Sequence, residues 1–350
     1  MSSPGRKSAP ALQILAVLLG TTLLAYLIER AGPGRLFQNA KTIAWGMLLV
    51  IALAGFAHIV KTWAWRLTLL GESKRISFWR TLGLRLISEA IGQFGFVGLV
   101  FGESARVALL GSGVSTASAI SSVAMDRGLF IAAGALVTIA GLLAAVFVVV
   151  FSGVLRLYAG LFVLALLCLI GLAVLAIHRG WPLFSGSARA AGSIPWFRAW
   201  INSKMAVIES AERQFLQFHR LAPGPFWASV VLNLASHLLA IVEVYLILHL
   251  LGARVSFVGA LILESLTKLI NVIGAINPGN LGTYEGGNMV IGKLLGLTGA
   301  VGLTLGLCRR FRAIFWAIVG GICLACYSRS NAQTRPDGST EIVTGAKLCR

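Results

Sequence analysis

Six acidic side chains lie in or beside strongly apolar segments, where an ionised group is costly unless it is paired or reaches water. They are Glu89, Glu103, Asp126, Glu243, Glu264 and Glu285. Basic residues occur in the same segments, namely Arg85, Arg106, Arg127, Lys268, Arg309, Arg310 and Arg312. Charged groups in such surroundings can hold a charged ligand or transfer a proton, so they are the first candidates for function.

Two of these acidic residues have a basic partner at helical spacing. Glu103 and Arg106 are three residues apart, and Glu264 precedes Lys268 by four, the more favourable order for an ion pair on a helix. The Glu264–Lys268 pair fits a structural role as well as a functional one, and we group it with Glu89 as supporting residues. Asp126 and Arg127 are candidates for ligand binding, with capping of the next helix at the membrane interface as the alternative.

The segment "NPGNLGTYEGG" at 277–287 would interrupt any helix, yet it lies between two apolar runs. Backbone that leaves the helix at membrane depth is tolerated only where protein or water surrounds it. We therefore predict that this segment is the tip of a re-entrant helical hairpin formed by 256–298, and that 82–110 forms a second one. The candidate binding residues at this tip are Asn277, Pro278, Gly279, Gly282, Tyr284 and Glu285.

The composition requires a membrane around these segments. The chain is 57% hydrophobic and 12% charged, whereas soluble proteins carry about 25% charged residues. Six apolar stretches reach the roughly 17–25 residues that cross a bilayer as a helix. They are about 11–28, 43–60, 128–150, 157–177, 226–251 and 311–327. The predicted fold class is an all-α polytopic membrane protein with six full transmembrane helices and two re-entrant hairpins.

The net charge of +18 does not indicate nucleic-acid binding, because the basic residues sit in loops and flanks and no nucleic-acid motif is present. Positive charge marks the cytoplasmic side of membrane proteins and attracts anionic headgroups. The loops 61–85 and 178–220 are the most basic, so we place them and both termini in the cytoplasm; the 30–41 loop does not fit this scheme. We expect no metal and no cofactor, since no histidine pair has metal-ligand spacing.

The two interrupted stretches resemble each other, which suggests an internal repeat. Glu103 precedes Arg127 by 24 residues, as Glu285 precedes Arg309, so Arg309 is the expected partner of Glu285. Aligning "LLG" at 109–111 with 294–296 would match Arg127 with Arg312 instead. With six crossings the two hairpins would enter from opposite sides, so the chain would be an inverted-topology repeat. We divide it into a cytoplasmic N-terminus at 1–10, repeat one at about 11–150, repeat two at about 157–327 and a disordered cytoplasmic tail at 328–350. An amphipathic segment at about 196–220 is expected to lie on the inner membrane surface.

These segments resemble the lysylphosphatidylglycerol synthase transmembrane-domain family, whose members are also called flippase-like proteins. The resemblance rests on "GESAR" at 102–106, "SAISSVAMDRG" at 118–128, "LGARVSF" at 251–257 and, most specifically, "NPGNLGTYEG" at 277–286. It spans roughly 43–325. Relatives usually carry a proline in the first hairpin before the Gly-Glu element, and this chain reads "FGFVGLVFGE" there.

The resemblance implies lipid translocation or export in a bacterial inner membrane, with a phospholipid or other polar lipid as ligand. Family members that make lysyl-phosphatidylglycerol carry an aminoacyl-transfer domain after the membrane part, and the tail here is too short for one, so lysyl transfer is not implied. The sequence contains no "GxxxxGK[ST]" motif, so we do not expect this chain to hydrolyse ATP. Alternatives are a membrane-embedded transferase acting on a lipid-linked substrate and a non-catalytic subunit that binds envelope-lipid biosynthesis partners.

The predicted topology can be tested by cysteine labelling. Cysteines introduced near Gly153 and Gly252 should react with a membrane-impermeant thiol reagent in intact cells, because both positions fall in loops with few basic residues. A cysteine at Ser187 should react only after the cells are opened. Labelling of position 187 in intact cells would reject both the six-crossing topology and the inverted repeat.

Overall fold

The computed structural model describes residues 22–23, 25–93, 95–111, 114–148, 153–191, 193, 195–274 and 280–333, which form helices joined by turns. The first helical segment, α1, covers residues 25–31. It is followed by α2 (Pro33–Ile43), α3 (Gly46–Thr68), a 3-10 helix (Leu70–Arg75), α4 (Phe78–Gly92), α5 (Gly95–Leu109), α6 (Thr116–Val148), α7 (Gly153–Arg179), α8 (Leu183–Ala191), α9 (Pro195–Leu221), α10 (Pro223–Leu250), α11 (Phe257–Gly274), α12 (Thr283–Leu294) and α13 (Gly299–Gln333).

Five of the described helices, α3, α6, α7, α10 and α13, are long and apolar enough to cross a membrane. They correspond to five of the six predicted spans, and the protein is an all-α polytopic membrane protein. The predicted span at 11–28 lies mostly outside the described residues. Large apolar side chains are exposed along these helices, most continuously on α7, as expected of a surface that faces lipid.

Three predicted boundaries were wrong in the same way. Helix α3 continues to Thr68, α6 begins at Thr116 and α13 begins at Gly299, so each helix extends well beyond the apolar run that predicted it. The added turns carry charged residues, and hydropathy placed the helix end at the first of them. Consequently much of the predicted cytoplasmic loop at 61–85 is helical, and Lys61 and Arg85 belong to helices rather than to a loop.

Both interrupted stretches fold as two helices packed against each other. The stretch 82–110 becomes α4 and α5, and 256–298 becomes α11 and α12. The candidates Asn277, Pro278 and Gly279 lie outside the described residues. Entry and return of each pair from one side of the membrane stays a prediction.

The packing has the arrangement that an internal repeat would produce. Helix α3 packs along α10, its predicted counterpart. Helix α4 of the first pair packs against α13, and α11 of the second pair packs against α6, so each pair rests on the long helix of the other half. A twofold axis relating the two repeats would turn one of these contacts into the other. The division into repeats and their opposite orientation remain predictions.

Glycines allow both of these exchanged contacts. A Cβ atom added to Gly320 of α13 would lie 2.2 Å from the carbonyl oxygen of Leu86 in α4. A Cβ atom added to Gly141 of α6 would lie 2.0 Å from the hydroxyl of Ser265 in α11. Close approach at small residues is how membrane helices gain packing energy, because lipid removes the hydrophobic driving force between them.

The segment predicted at about 196–220 is helix α9, and its apolar side is covered by protein. Ile201, Ala211 and Phe218 are buried where α9 meets α6, α8 and α10. Glu212 fastens α9 to α8, since its carboxylate accepts hydrogen bonds from the backbone N–H of Phe184 at 2.6 Å and from the hydroxyl of Ser185 at 2.5 Å. At these positions the predicted lipid-facing stripe is instead a packing surface.

Substitution of adjacent glycines in α13 tests this packing. Gly320→Ala should lower the free energy of unfolding by about 1–3 kcal/mol, because the methyl group would overlap backbone of α4. Gly321→Ala is the matched control, since no described atom outside its own stretch of helix lies within 4 Å of its Cβ position, and it should be neutral or stabilising by up to about 1 kcal/mol. Thermal unfolding in detergent measures both, and equal melting temperatures would contradict the close α4–α13 contact.

Candidate functional site

The charged residues predicted from the sequence gather into two groups inside the helical bundle. The first cluster consists of Arg85, Glu103, Arg106, Asp126 and Arg127, which come from α4, α5 and α6. The second cluster consists of Glu243, Glu264, Lys268, Glu285, Arg309, Arg310 and Arg312, which come from α10, α11, α12 and α13. Each cluster therefore joins a helix pair to the neighbouring long helix.

Asp126 is the centre of the first cluster. Its Oδ2 atom accepts hydrogen bonds from Arg85 at 3.1 Å and from Arg106 at 2.7 Å, and its side chain is 2% exposed. Arg106 also stacks on the ring of Trp65 at 3.9 Å. Asp126 thus ties α4, α5 and α6 together. The alternative that it caps a helix at the membrane interface was wrong, because α6 begins ten residues earlier, at Thr116.

Glu103 connects this buried centre to a more accessible arginine. Its carboxylate accepts a hydrogen bond from Arg106 at 2.7 Å, which confirms the pair predicted from their spacing. The other carboxylate oxygen lies 4.0 Å from Arg127, whose side chain is 36% exposed. Arg106 is buried and paired with two carboxylates, whereas Arg127 makes a longer contact and can turn toward a ligand with little loss.

Arg309 is the centre of the second cluster. Its Nε atom donates to Glu243 at 3.3 Å, and its Nη1 atom lies 2.8 Å from Glu264. Glu264 also accepts a hydrogen bond from Lys268 at 2.7 Å, which confirms the pair predicted at spacing four. Glu243 accepts a second hydrogen bond, from Arg312 at 2.5 Å. Arg309 therefore links α10, α11 and α13, and Lys268 and Arg312 extend from this centre.

Glu285 pairs with Arg310 rather than with Arg309, the partner predicted from the 24-residue spacing. Its Oε2 atom accepts a hydrogen bond at 2.9 Å from the backbone N–H of Gly282, at the start of α12. Arg310 also donates to the carbonyl of Asn280 at 3.3 Å. Glu285 is completely buried, so a ligand cannot reach it in this conformation. Glu285 therefore caps the N-terminus of α12 and holds Arg310 in position.

Of the other predicted tip residues, Gly282 and Tyr284 are among the described residues and are close to Glu285 in the chain. Gly282 has φ 74°, a backbone conformation that favours glycine, and Asn280 adopts φ 51° beside it. Tyr284 is half-buried and lies in the electrostatic field of Arg309 and Glu264.

Lys61 and Glu89 lie between the two clusters. Both are half-buried, they interact electrostatically with each other, and both are also in the field of Arg85 and Arg312. Neither forms an ion pair with another described residue, unlike the five other acidic candidates. Lys61 approaches the ring of Phe130 at 5.2 Å instead. Sequence reasoning missed Lys61, because the apolar run ended at residue 60 and placed it in a loop.

An apolar groove of about 500 Å³ runs past the end of α4 toward α13. Ala90 and Ile91 line one side, and Ala313 and Ile318 line the other. Arg310 is the charged residue among the described groove residues. The groove therefore combines walls suited to a hydrocarbon chain with a cation of the second cluster.

The described residues include no group of three or more His, Cys, Asp or Glu side chains that could hold a metal ion. Each cluster instead alternates acidic with basic groups, as a site for a polar or charged organic ligand would.

Comparison with known proteins gave one family. The family model described as "Lysylphosphatidylglycerol synthase TM region" matches residues 13–321, which includes both clusters and the groove. No curated protein and no solved structure matches the chain.

A double-mutant cycle tests the pairing in the second cluster. Glu285→Gln and Arg310→Gln should each lower the free energy of unfolding. The loss in the double variant should be smaller than the sum of the two single losses by on the order of 1 kcal/mol, because the two side chains form one ion pair. Arg309→Gln is the comparison, since the carboxylate partners of Arg309 are Glu243 and Glu264 and its coupling to Glu285 should be weaker than that of Arg310. Unfolding in detergent gives all the free energies. Coupling of Glu285 to Arg309 instead would show that the pairing is wrong.

Proposed function

The chain belongs to the lysylphosphatidylglycerol synthase TM region family, and we propose on this basis that it moves a polar lipid with an anionic headgroup between the leaflets of the membrane. The family links it to lipid biosynthesis or transport, and the finer assignment rests on the charges in its interior. The basic loops support a location in a bacterial inner membrane with both termini in the cytoplasm.

The observation that carries the proposal is the excess of positive charge in the bundle. The two clusters together with Lys61 and Glu89 contain eight basic and six acidic side chains, so two positive charges are left without a formal counter-charge. A buried charge is costly unless it is paired. A phosphate-bearing headgroup would supply the missing negative charge, which gives the site a reason to prefer an anionic lipid.

The exposure of the basic side chains separates those that could bind a headgroup from those that hold the fold. Arg127 is 36% exposed, Arg312 25%, and Lys268 and Arg310 21% each. Arg85, Arg106 and Arg309 are exposed by 9% or less, and each is paired with at least one carboxylate. We therefore assign headgroup contact to Arg127, Lys268, Arg310, Arg312 and Lys61, and assign Arg106 and Arg309 to the support of the site.

The headgroup and the acyl chains would follow different surfaces. A charged headgroup at the bilayer centre costs several kcal/mol or more in lipid alone, and fixed charges along the bundle replace part of its lost hydration. The groove that ends at Arg310 offers apolar walls to a chain of the same lipid. Lys61 and Glu89 lie where a headgroup would pass from one cluster to the other, and their lack of fixed partners allows either to change partner during passage.

Purified protein in liposomes tests the proposal. Fluorescent phosphatidylglycerol placed in one leaflet should reach the other faster than in protein-free vesicles and should remain chemically unchanged. A new lipid product would support the membrane-embedded transferase instead. Neither exchange nor product would favour a subunit that acts with envelope-lipid biosynthesis partners.

Variants at the unpaired residues test the proposed path. Lys61→Gln and Glu89→Gln should each slow leaflet exchange by about tenfold or more, because one favourable charge interaction of roughly 1.4 kcal/mol changes a rate tenfold. Both variants should unfold at nearly the wild-type temperature, since neither breaks an ion pair. Lys74→Gln removes the same charge from an exposed position of the 3-10 helix and is the control. Wild-type exchange rates in both interior variants would reject the path.

A further inference from the structure

A second cavity, of about 700 Å³, lies away from the groove and the charged clusters. Its walls come from the 3-10 helix Leu70–Arg75, the first turns of α6 and helix α9. These elements belong to the parts of the chain with the most basic residues. A cavity of this size is typical of small-molecule sites. It plays no part in the lipid path proposed above.

Two arginines from different elements line this cavity. Arg75 comes from the 3-10 helix and Arg213 from α9, and both are exposed. Neither makes an ion pair or hydrogen bond with another described residue. In the two interior clusters, by contrast, arginines pair with carboxylates. Two guanidinium groups on one cavity provide the planar, multiple donors that phosphate oxygens prefer.

The one acidic residue among the described cavity residues is already engaged. Glu72 accepts hydrogen bonds from the backbone N–H of Ser115 at 3.3 Å and from the hydroxyl of Ser118 at 3.2 Å. Its carboxylate thereby caps the start of α6, where negative charge is stabilised. The remaining charge of the cavity is positive, because Glu72 is directed toward α6 and two arginines are left for a ligand.

Neutral polar groups and apolar side chains complete the lining. Gln214 and Gln217 are on the α9 wall with Arg213, and they add amide donors beside the guanidinium. Leu69 and Met125 are buried apolar residues of the same cavity. The lining therefore suits a ligand that has an anionic group and a less polar part.

The backbone at the rim is strained. Leu70 adopts φ 51°, and a bulky residue in this left-handed region is a true outlier. Such strain persists only where surrounding structure enforces it, and it concentrates at functional sites. Arg66 enforces it here, since its guanidinium donates to the carbonyl oxygens of Ser73 at 2.9 Å and Ile76 at 2.7 Å. The turn that carries Arg75 is thus fixed before any ligand arrives.

We propose that this cavity binds an organic phosphate, held by Arg75 and Arg213 through its phosphate oxygens. The ligand is either a soluble phosphate ester or the glycerophosphate headgroup of a lipid, which present the same oxygens to the arginines. Because Arg75 and Arg213 are on separate elements, the bound phosphate fixes α9 relative to the turn after α3.

Binding measurements on the full chain in a zwitterionic detergent test the site. Equilibrium dialysis with labelled glycerol 3-phosphate is the soluble arm, and titration of phosphatidylglycerol into the same micelles is the lipid arm. Saturable binding in either arm is expected, and the arm that responds identifies the source. Arg75→Gln and Arg213→Gln should each weaken that binding by about tenfold or more, since each removes a charge-assisted contact.

Two controls make the result specific. Lys204→Gln removes a positive charge from an exposed position of the same helix, α9, and should leave binding unchanged. Lys61→Gln should leave the binding of glycerol 3-phosphate unchanged, because the cavity is separate from the lipid path. In the lipid arm Lys61→Gln reports the lipid path, whereas Arg75→Gln and Arg213→Gln report the cavity, so failure of one proposal does not imply failure of the other. Both arginine variants should melt at the wild-type temperature without ligand. Absence of saturable binding in both arms, or wild-type affinity in Arg75→Gln and Arg213→Gln, overturns the proposal.

Discussion

The structure depends on neutralising charges that its helices carry into an apolar interior. An unpaired ion in such surroundings costs several kcal/mol, so every buried carboxylate or guanidinium needs a counter-charge from another helix. Asp126 obtains two, from α4 and α5, and Arg309 obtains carboxylates from α10 and α11. These ion pairs determine which helices lie together and leave each cluster at a junction of three or more helices.

Close helix packing makes the pairing possible. Side-chain ion pairs of about 3 Å require the helix axes to approach, and Gly141 and Gly320 permit this where α6 meets α11 and α13 meets α4. The more exposed cations Lys268, Arg310 and Arg312 each pair with one of the buried carboxylates and still have part of their surface accessible. We propose that this difference in exposure between the basic side chains allows a structural network to bind an anionic headgroup as well.

Much of this architecture follows from local sequence. The all-helical fold, the apolar core of five spans and the breaks in the two interrupted stretches depend on composition and on glycine and proline, which act over a few residues. The pairs Glu103–Arg106 and Glu264–Lys268 were also predictable, because a helix places residues three and four apart on one face. The sequence by itself determined these features.

Only the tertiary structure decided which distant charges meet. Adjacent residues on a helix point about 100° apart, so Arg309 and Arg310 face different neighbours, and a spacing count could not choose between them as the partner of Glu285. The hydropathy pattern likewise ended α3 before Lys61. A hydropathy scale gives every lysine the same unfavourable value, and it does not include the effect of a nearby acidic residue such as Glu89. Both outcomes depend on helix rotation and on contacts between segments far apart in the chain, which a local pattern does not contain.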